Sequence, residues 1–189
     1  MFLAVTGTPI EMEIQKLLTA VHLNKWLRED LFHFNWWFLL GLSILSIVVW
    51  WKLLDKTRLP EILLYAVLTT LVTMGIDECG IELTLWFYPI YLLPIFPVLT
   101  AINLLILPVV FSLAYQHFNT WKSFILASIT IAGLLSFAVE PALVWANFYQ
   151  LLKWQYYYSF LIYVAVSLII RCLIVKLFAI AEKAQVHPY

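Results

Sequence analysis

Of the chain's 189 residues, 64% are hydrophobic and only 12% are charged, more apolar surface than one soluble domain of this size can hide. Its 11 basic residues balance its 11 acidic ones, and no cluster of four or more Lys or Arg marks a surface for nucleic acid or anionic lipid. The length leaves room for about five helices of roughly 20 residues each and none for a separate catalytic domain. The composition therefore predicts an all-α integral membrane bundle whose first partner is the lipid bilayer.

The N-terminus turns polar after Val5 and has no basic region ahead of an apolar stretch and cleavage site, so no cleaved signal peptide is expected. Residues 1–33 read as an amphipathic region. Ile14, Leu17, Leu18, Val21, Trp26, Leu27, Leu31 and Phe32 recur at helical spacing between charged residues, a pattern for a helix lying in the interface or against the bundle.

A first span is expected from Phe34 to Trp51, with Trp36-Trp37 and Trp50-Trp51 at the two aromatic belts. A second starts after Pro60-Glu61 and ends at Asp77-Glu78-Cys79-Gly80. Pro89, Pro94 and Pro97 forbid a regular helix over 81–97, which reads as a broken or re-entrant segment that protein must cover. Further spans are expected over 98–117, 122–145 and 156–178, giving a transmembrane domain over 34–178 and a cytoplasmic tail over 179–189 that is frayed from Glu182 to Tyr189. Cys79 and Cys172 fall near opposite faces, too far apart for a disulfide.

Five spans with a cytoplasmic C-terminus put Lys52, Lys56, Arg58, Lys122, Arg171, Lys176 and Lys183 inside. A six-span model, with 81–97 crossing, gives the same totals, so the prolines decide for five. In this orientation Asp77, Glu78, Glu82 and Glu140 face outward against a single basic loop residue, Lys153.

A carboxylate inside a span faces the bundle interior, water or a partner group. Pro141 offers no N–H to the Phe137 carbonyl and leaves an acceptor near Glu140. Two readings stay open: Glu140 coordinates a proton or small cation, or it accepts bonds from Tyr or Trp neighbours and locks helix ends. On the first, Asp77, Glu82 and Glu140 line an outward-facing crevice walled by Trp86, Tyr88 and Trp145. On the second, the aromatic residues form an ordinary interfacial belt. Arg171 is expected to snorkel to the headgroups or to pair with a carboxylate such as Asp55, and His117 is a weak proton-shuttle candidate.

No phosphate loop, paired metal-spacing His, nucleophile elbow or Cys pair is present, so no catalytic residue, metal or cofactor is expected. A structural or assembly partner of a larger membrane complex, or a homo-oligomer, is the alternative to a binding or transport role. An intramembrane enzyme comes third, since it needs several acids converging on one pocket.

Several short motifs occur in order: Asp55-Lys56-x-Arg58, Glu61-Ile62-Leu63-Leu64, Asp77-x-x-Gly80, Leu85-Trp86-x-Tyr88-Pro89 and Pro94-x-x-Pro97. Tyr115-Gln116-x-Phe118-x-x-Trp121-Lys122, Phe137-x-x-Glu140-Pro141 and Trp154 followed by Tyr158-Ser159-Phe160 complete the set. Over about 52–163 this set resembles an uncharacterised family of small polytopic membrane proteins of Bacillus-like and Clostridium-like spore-forming bacteria. Leu161 stands where that pattern has proline, and Asn103 where Asp is common. The resemblance implies a bacterial cell membrane location and no activity.

Overall fold

The computed structural model describes residues 8–94 and 106–186. Helix α1 (Thr8–Lys25) is followed by a π turn at Trp26–Asp30 and then by α2 (Phe34–Leu53). After a 3-10 turn at Lys56–Arg58, α3 runs over Leu59–Glu82, with Pro60 in its first turn where no helical donor is needed. The chain then passes through β1 (Trp86–Phe87), α4 (Leu107–His117), α5 (Trp121–Leu134), a π turn at Leu135–Val139 and α6 (Glu140–Trp145). β2 (Gln150–Leu151) and the long α7 (Tyr156–Val186) complete it.

Four helical segments, Phe34–Leu53, Lys56–Glu82, Trp121–Trp145 and Tyr156–Lys183, are long and apolar enough to cross a membrane. Their outer faces carry exposed Ile44, Leu45, Leu71, Leu126, Leu134 and Ile169, a surface that suits hydrocarbon and not water. Of the span expected over 98–117, Leu107–His117 is helical, and 98–105 lies outside the described residues. The segment expected to be broken over 81–97 starts as the last residues of α3, to Glu82, turns into the two-residue β1, and carries no regular secondary structure over 88–94; 95–97 lies outside the described residues. Trp86 and Phe87 pair antiparallel with Leu151 and Gln150, so the ends of α3 and α7 share a two-stranded clasp. The tail expected to fray from Glu182 continues as helix to Val186.

The core lies where α3, α4, α5 and α7 meet, built from Tyr65, Leu107, Phe111, Tyr115, Phe124, Ile170 and Ile174. Helix α2 joins from the side, where Trp50 Nε1 donates to Ser112 Oγ at 2.9 Å. Helix α1 is exposed along its described length to Asn24. The turn that follows it is anchored: Lys25 reaches Asp30 at 3.0 Å and the Pro89 carbonyl. Trp26 and Trp36 both donate to the Leu92 carbonyl, at 3.2 and 2.9 Å.

Arg171 neither snorkels nor pairs with Asp55. It is 4% exposed, donates to the carbonyls of Phe118 and Asn119, and lies 4.4 Å from the Phe124 ring centroid. The turn between α4 and α5 presents two carbonyls with no helical donors of their own, and the forked guanidinium satisfies both. Asp55 instead accepts from Thr57 N and Oγ1 and caps the 3-10 turn.

Candidate functional site: a buried acid and tyrosine cluster

Along α3, along α5 with α6, and along α7, mostly polar residues recur at four-residue intervals, which keeps them on one face. On α3 the series is Glu61, Tyr65, Thr69, Thr73 and Asp77; along α5 and α6 it is Ser128, Ala132, Ser136 and Glu140; on α7 it is Ser159, Tyr163, Ser167 and Arg171. From Thr69 to Asp77 and from Ser128 to Glu140 every member is buried, as are Ser159, Ser167 and Arg171. The series converge at the end of the bundle capped by the β clasp.

Asp77 is 6% exposed, and its Oδ1 accepts from Trp86 Nε1 at 3.0 Å and from the Tyr88 hydroxyl at 2.6 Å. Both donors sit on or beside β1, so the strand pairing aims them. At Thr84 the backbone takes a left-handed φ of 52°, unusual for a β-branched residue, which turns the chain out of α3 so that β1 folds back. Trp86 then lies flat against Gly80, where an added Cβ would stand 2.0 Å from its ring, and edge-on to Trp154 at 4.8 Å. Tyr88 stacks on Tyr149 at 5.3 Å. Burial first, and the Asp77 carboxylate second, hold the Tyr88 hydroxyl well above its ordinary pKa, so it remains a donor at every physiological pH.

Glu140 follows the π turn, is 6% exposed and accepts from the Tyr163 hydroxyl at 2.8 Å through Oε1. Its Oε2 is buried and has no hydrogen-bond partner. The Ser159 hydroxyl stands beside the carboxylate but outside hydrogen-bond geometry, and accepts from Trp154 Nε1 at 2.9 Å. Tyr163 connects the two acids, since its ring also lines, with Thr73, Asp77, Trp86 and Ile162, a cavity of about 40 Å³. That volume holds one or a few waters. It lies far below the several hundred Å³ of a pocket for a small organic ligand.

Of the residues expected at this site, Asp77, Trp86, Tyr88 and Glu140 join one cluster, whereas Glu82 and Trp145 stand apart from it. Each of these two lies five residues beyond an acid of the cluster, a rotation of about 140° around a helix. Glu82 is accordingly exposed, and Trp145 is 90% exposed. Tyr163, Tyr149 and Ser159 complete the cluster; Tyr163 was not singled out from the sequence, although the four-residue polar series on α7 marks it. Among the described residues no group of three or more His, Cys, Asp and Glu side chains is placed to hold a metal ion.

The opposite end of the bundle holds a second polar cluster. Arg58 pairs with Glu61 at 3.0 Å, Tyr115 donates to Glu61, and Arg58 reaches Asn119 Oδ1 at 3.1 Å. Gln116 bonds Asp55 N at 2.8 Å and the Leu53 carbonyl at 2.9 Å, joining α4 to the end of α2.

Together these features define the class: a multi-pass helical membrane protein with acids buried at one end of its bundle and a caged arginine at the other. No protein-family model matches the chain, and neither does any curated protein or solved structure.

Proposed function

We propose that this protein binds and releases a proton at Glu140 as part of a transport role in a bacterial cell membrane, with five crossings and a cytoplasmic C-terminus. The observation that carries the reading is the asymmetry of the carboxylate: one oxygen is held by Tyr163, and the other is buried without a partner. A buried acceptor left open costs free energy, and a proton is the smallest occupant that fills it. Asp77 differs, because two fixed donors hold it as an acceptor. The small volume of the cavity shared by Asp77 and Tyr163 favours a proton over an organic cation there. The resemblance to small membrane proteins of spore-forming bacteria supports the location.

The test is proton flux into vesicles reconstituted with the full chain, under an imposed potential. The wild type is expected to conduct and Glu140→Gln to lose conduction. Equal flux in both refutes the reading.

A second reading, an assembly role within a larger membrane complex, is favoured by one observation: α1 presents exposed Ile10, Ile14, Leu17 and Val21. Cross-linking from α1 in native membranes tests it. A single reproducible protein partner supports assembly, and lipid adducts alone refute it.

A further inference from the structure

Two buried serines, Ser128 in α5 and Ser136 in the π turn that follows it, are used differently from other hydroxyls of the bundle. Ser43, Ser46, Thr69, Thr73 and Thr130 each donate to the carbonyl one turn back, at 2.7 to 2.9 Å, the usual way a helix absorbs a hydroxyl in a membrane. Ser128 and Ser136 do not. Both are completely buried, and neither oxygen has a hydrogen-bond partner.

Both face the seam with α7. The two helices run antiparallel, with Arg171 over Phe124 at one end, and the Phe137–Phe160 ring pair at 5.7 Å and the Tyr163–Glu140 bond toward the other. Interpolating between the two ring contacts sets Ser128 level with Ser167 and Ser136 within about two residues of Ser159. The seam therefore carries hydroxyls on both walls, and Ala132 between Ser128 and Ser136 adds no bulk.

The backbone adds acceptors at the Glu140 end. In the π turn the Glu140 N–H reaches back to the Leu135 carbonyl, and Pro141 has no N–H for the next carbonyl along. At the other end the Arg171 Nε is buried and unpartnered. Unsatisfied polar atoms thus occur at intervals along one seam, from Glu140 to Arg171.

We infer that Ser136 and Ser128, with Ser159 and Ser167 across the seam, form a water-linked route by which Glu140 exchanges its proton with the Arg171 end of the bundle. This rests on the proton reading of Glu140. Along the route each hydroxyl oxygen accepts a proton from the donor before it and releases its own to the acceptor after it, so O–H bonds broken and formed balance and no oxidant or reductant enters. The groups facing Glu140 are Tyr163 and Ser159 from α7, Tyr149 ahead of β2 and, across Tyr163, Asp77 from α3. At the far end the groups are Arg171, Arg58, Glu61, Tyr65 and Tyr115.

The experiment follows the infrared carboxyl band of protonated Glu140, identified by its loss in Glu140→Gln, after a pH jump applied to the Arg171 side of oriented vesicles containing the full chain. The band is expected to rise more slowly in Ser136→Ala and Ser128→Ala, by roughly tenfold, equivalent to about 1.4 kcal/mol on the barrier. Ser136→Thr restores a hydroxyl and is expected to recover the rate. Unchanged rates in both alanine variants overturn the route and leave Glu140 as a proton site, the serines then serving only close helix packing. A wild-type spectrum with no band sensitive to Glu140→Gln overturns the proton reading and the route together.

Discussion

Gly80→Ala is the sharpest perturbation of the Asp77 site, because it changes nothing but a methyl group. An added Cβ would stand 2.0, 2.2 and 2.5 Å from three ring atoms of Trp86, against the 3.5 to 4.0 Å of an ordinary carbon contact. The indole must retreat by more than 1 Å. It cannot do so freely, since its Nε1 is 3.0 Å from Asp77 Oδ1 and its ring meets Trp154 at 4.8 Å. Overpacking costs about 1–3 kcal/mol, and losing a hydrogen bond to a charged group adds about 1.5–3 kcal/mol. Alanine returns about 1 kcal/mol of helix propensity, leaving a net loss of about 1.5–5 kcal/mol. The assay is equilibrium unfolding in mixed micelles followed by tryptophan fluorescence. Gly75→Ala is the control, because a Cβ there meets nothing within 4 Å; it is expected to be neutral or to stabilise by up to about 1 kcal/mol. In a Trp86→Leu background the Gly80→Ala penalty should largely disappear, as coupling between touching residues requires. A Gly80→Ala protein as stable as Gly75→Ala would refute the placement of Trp86.

Arg171→Lys keeps the charge but loses the fork that satisfies two carbonyls and the flat face over Phe124, so a stability loss of about 2–3 kcal/mol is expected in the same assay. Asp55 has its pKa lowered by the Thr57 hydroxyl first and the Thr57 N–H next; the capping contribution is full above the unfolded value of 3.8 and is lost as pH falls through the lower folded value. Melting temperatures measured against pH should therefore separate wild type from Asp55→Asn at neutral pH and converge at the acid end. Asp30→Asn weakens the Lys25 pair and the bond from Tyr91 N at 3.3 Å, so faster hydrogen exchange at Tyr91 and faster proteolysis within residues 8–33 are expected.

The spans were legible because hydrophobic runs closed by charges and tryptophans are one-dimensional signals. Phe34–Leu53 and Trp121–Trp145 fall within two residues of their expected ends. Among the described residues no helix occurs over 83–94, in keeping with the prolines, but nothing local announced that Trp86-Phe87 would find Gln150-Leu151, a pairing made across more than 60 residues. Asp77 and Glu140 were visible as charges in apolar surroundings. That one tyrosine would bond Glu140 and line a cavity with Asp77 was not, because it depends on the register of α7 against two other helices. Arg171 was misread for a related reason. Its place after an apolar run suggests snorkelling or a pair with Asp55, while its actual partners are backbone carbonyls that no sequence pattern displays.

The clasp also sets an order of events during synthesis. Trp86 pairs with Leu151, 65 residues later in the chain. At roughly 5–20 residues per second, about 3–13 seconds separate their emergence from the ribosome. Throughout that interval α3 is complete, but the strand pairing that aims Trp86 and Tyr88 at Asp77 is missing. Until β2 is made, this carboxylate lacks the donors that the strand pairing aims at it, so a strand translated late closes over an acid translated much earlier.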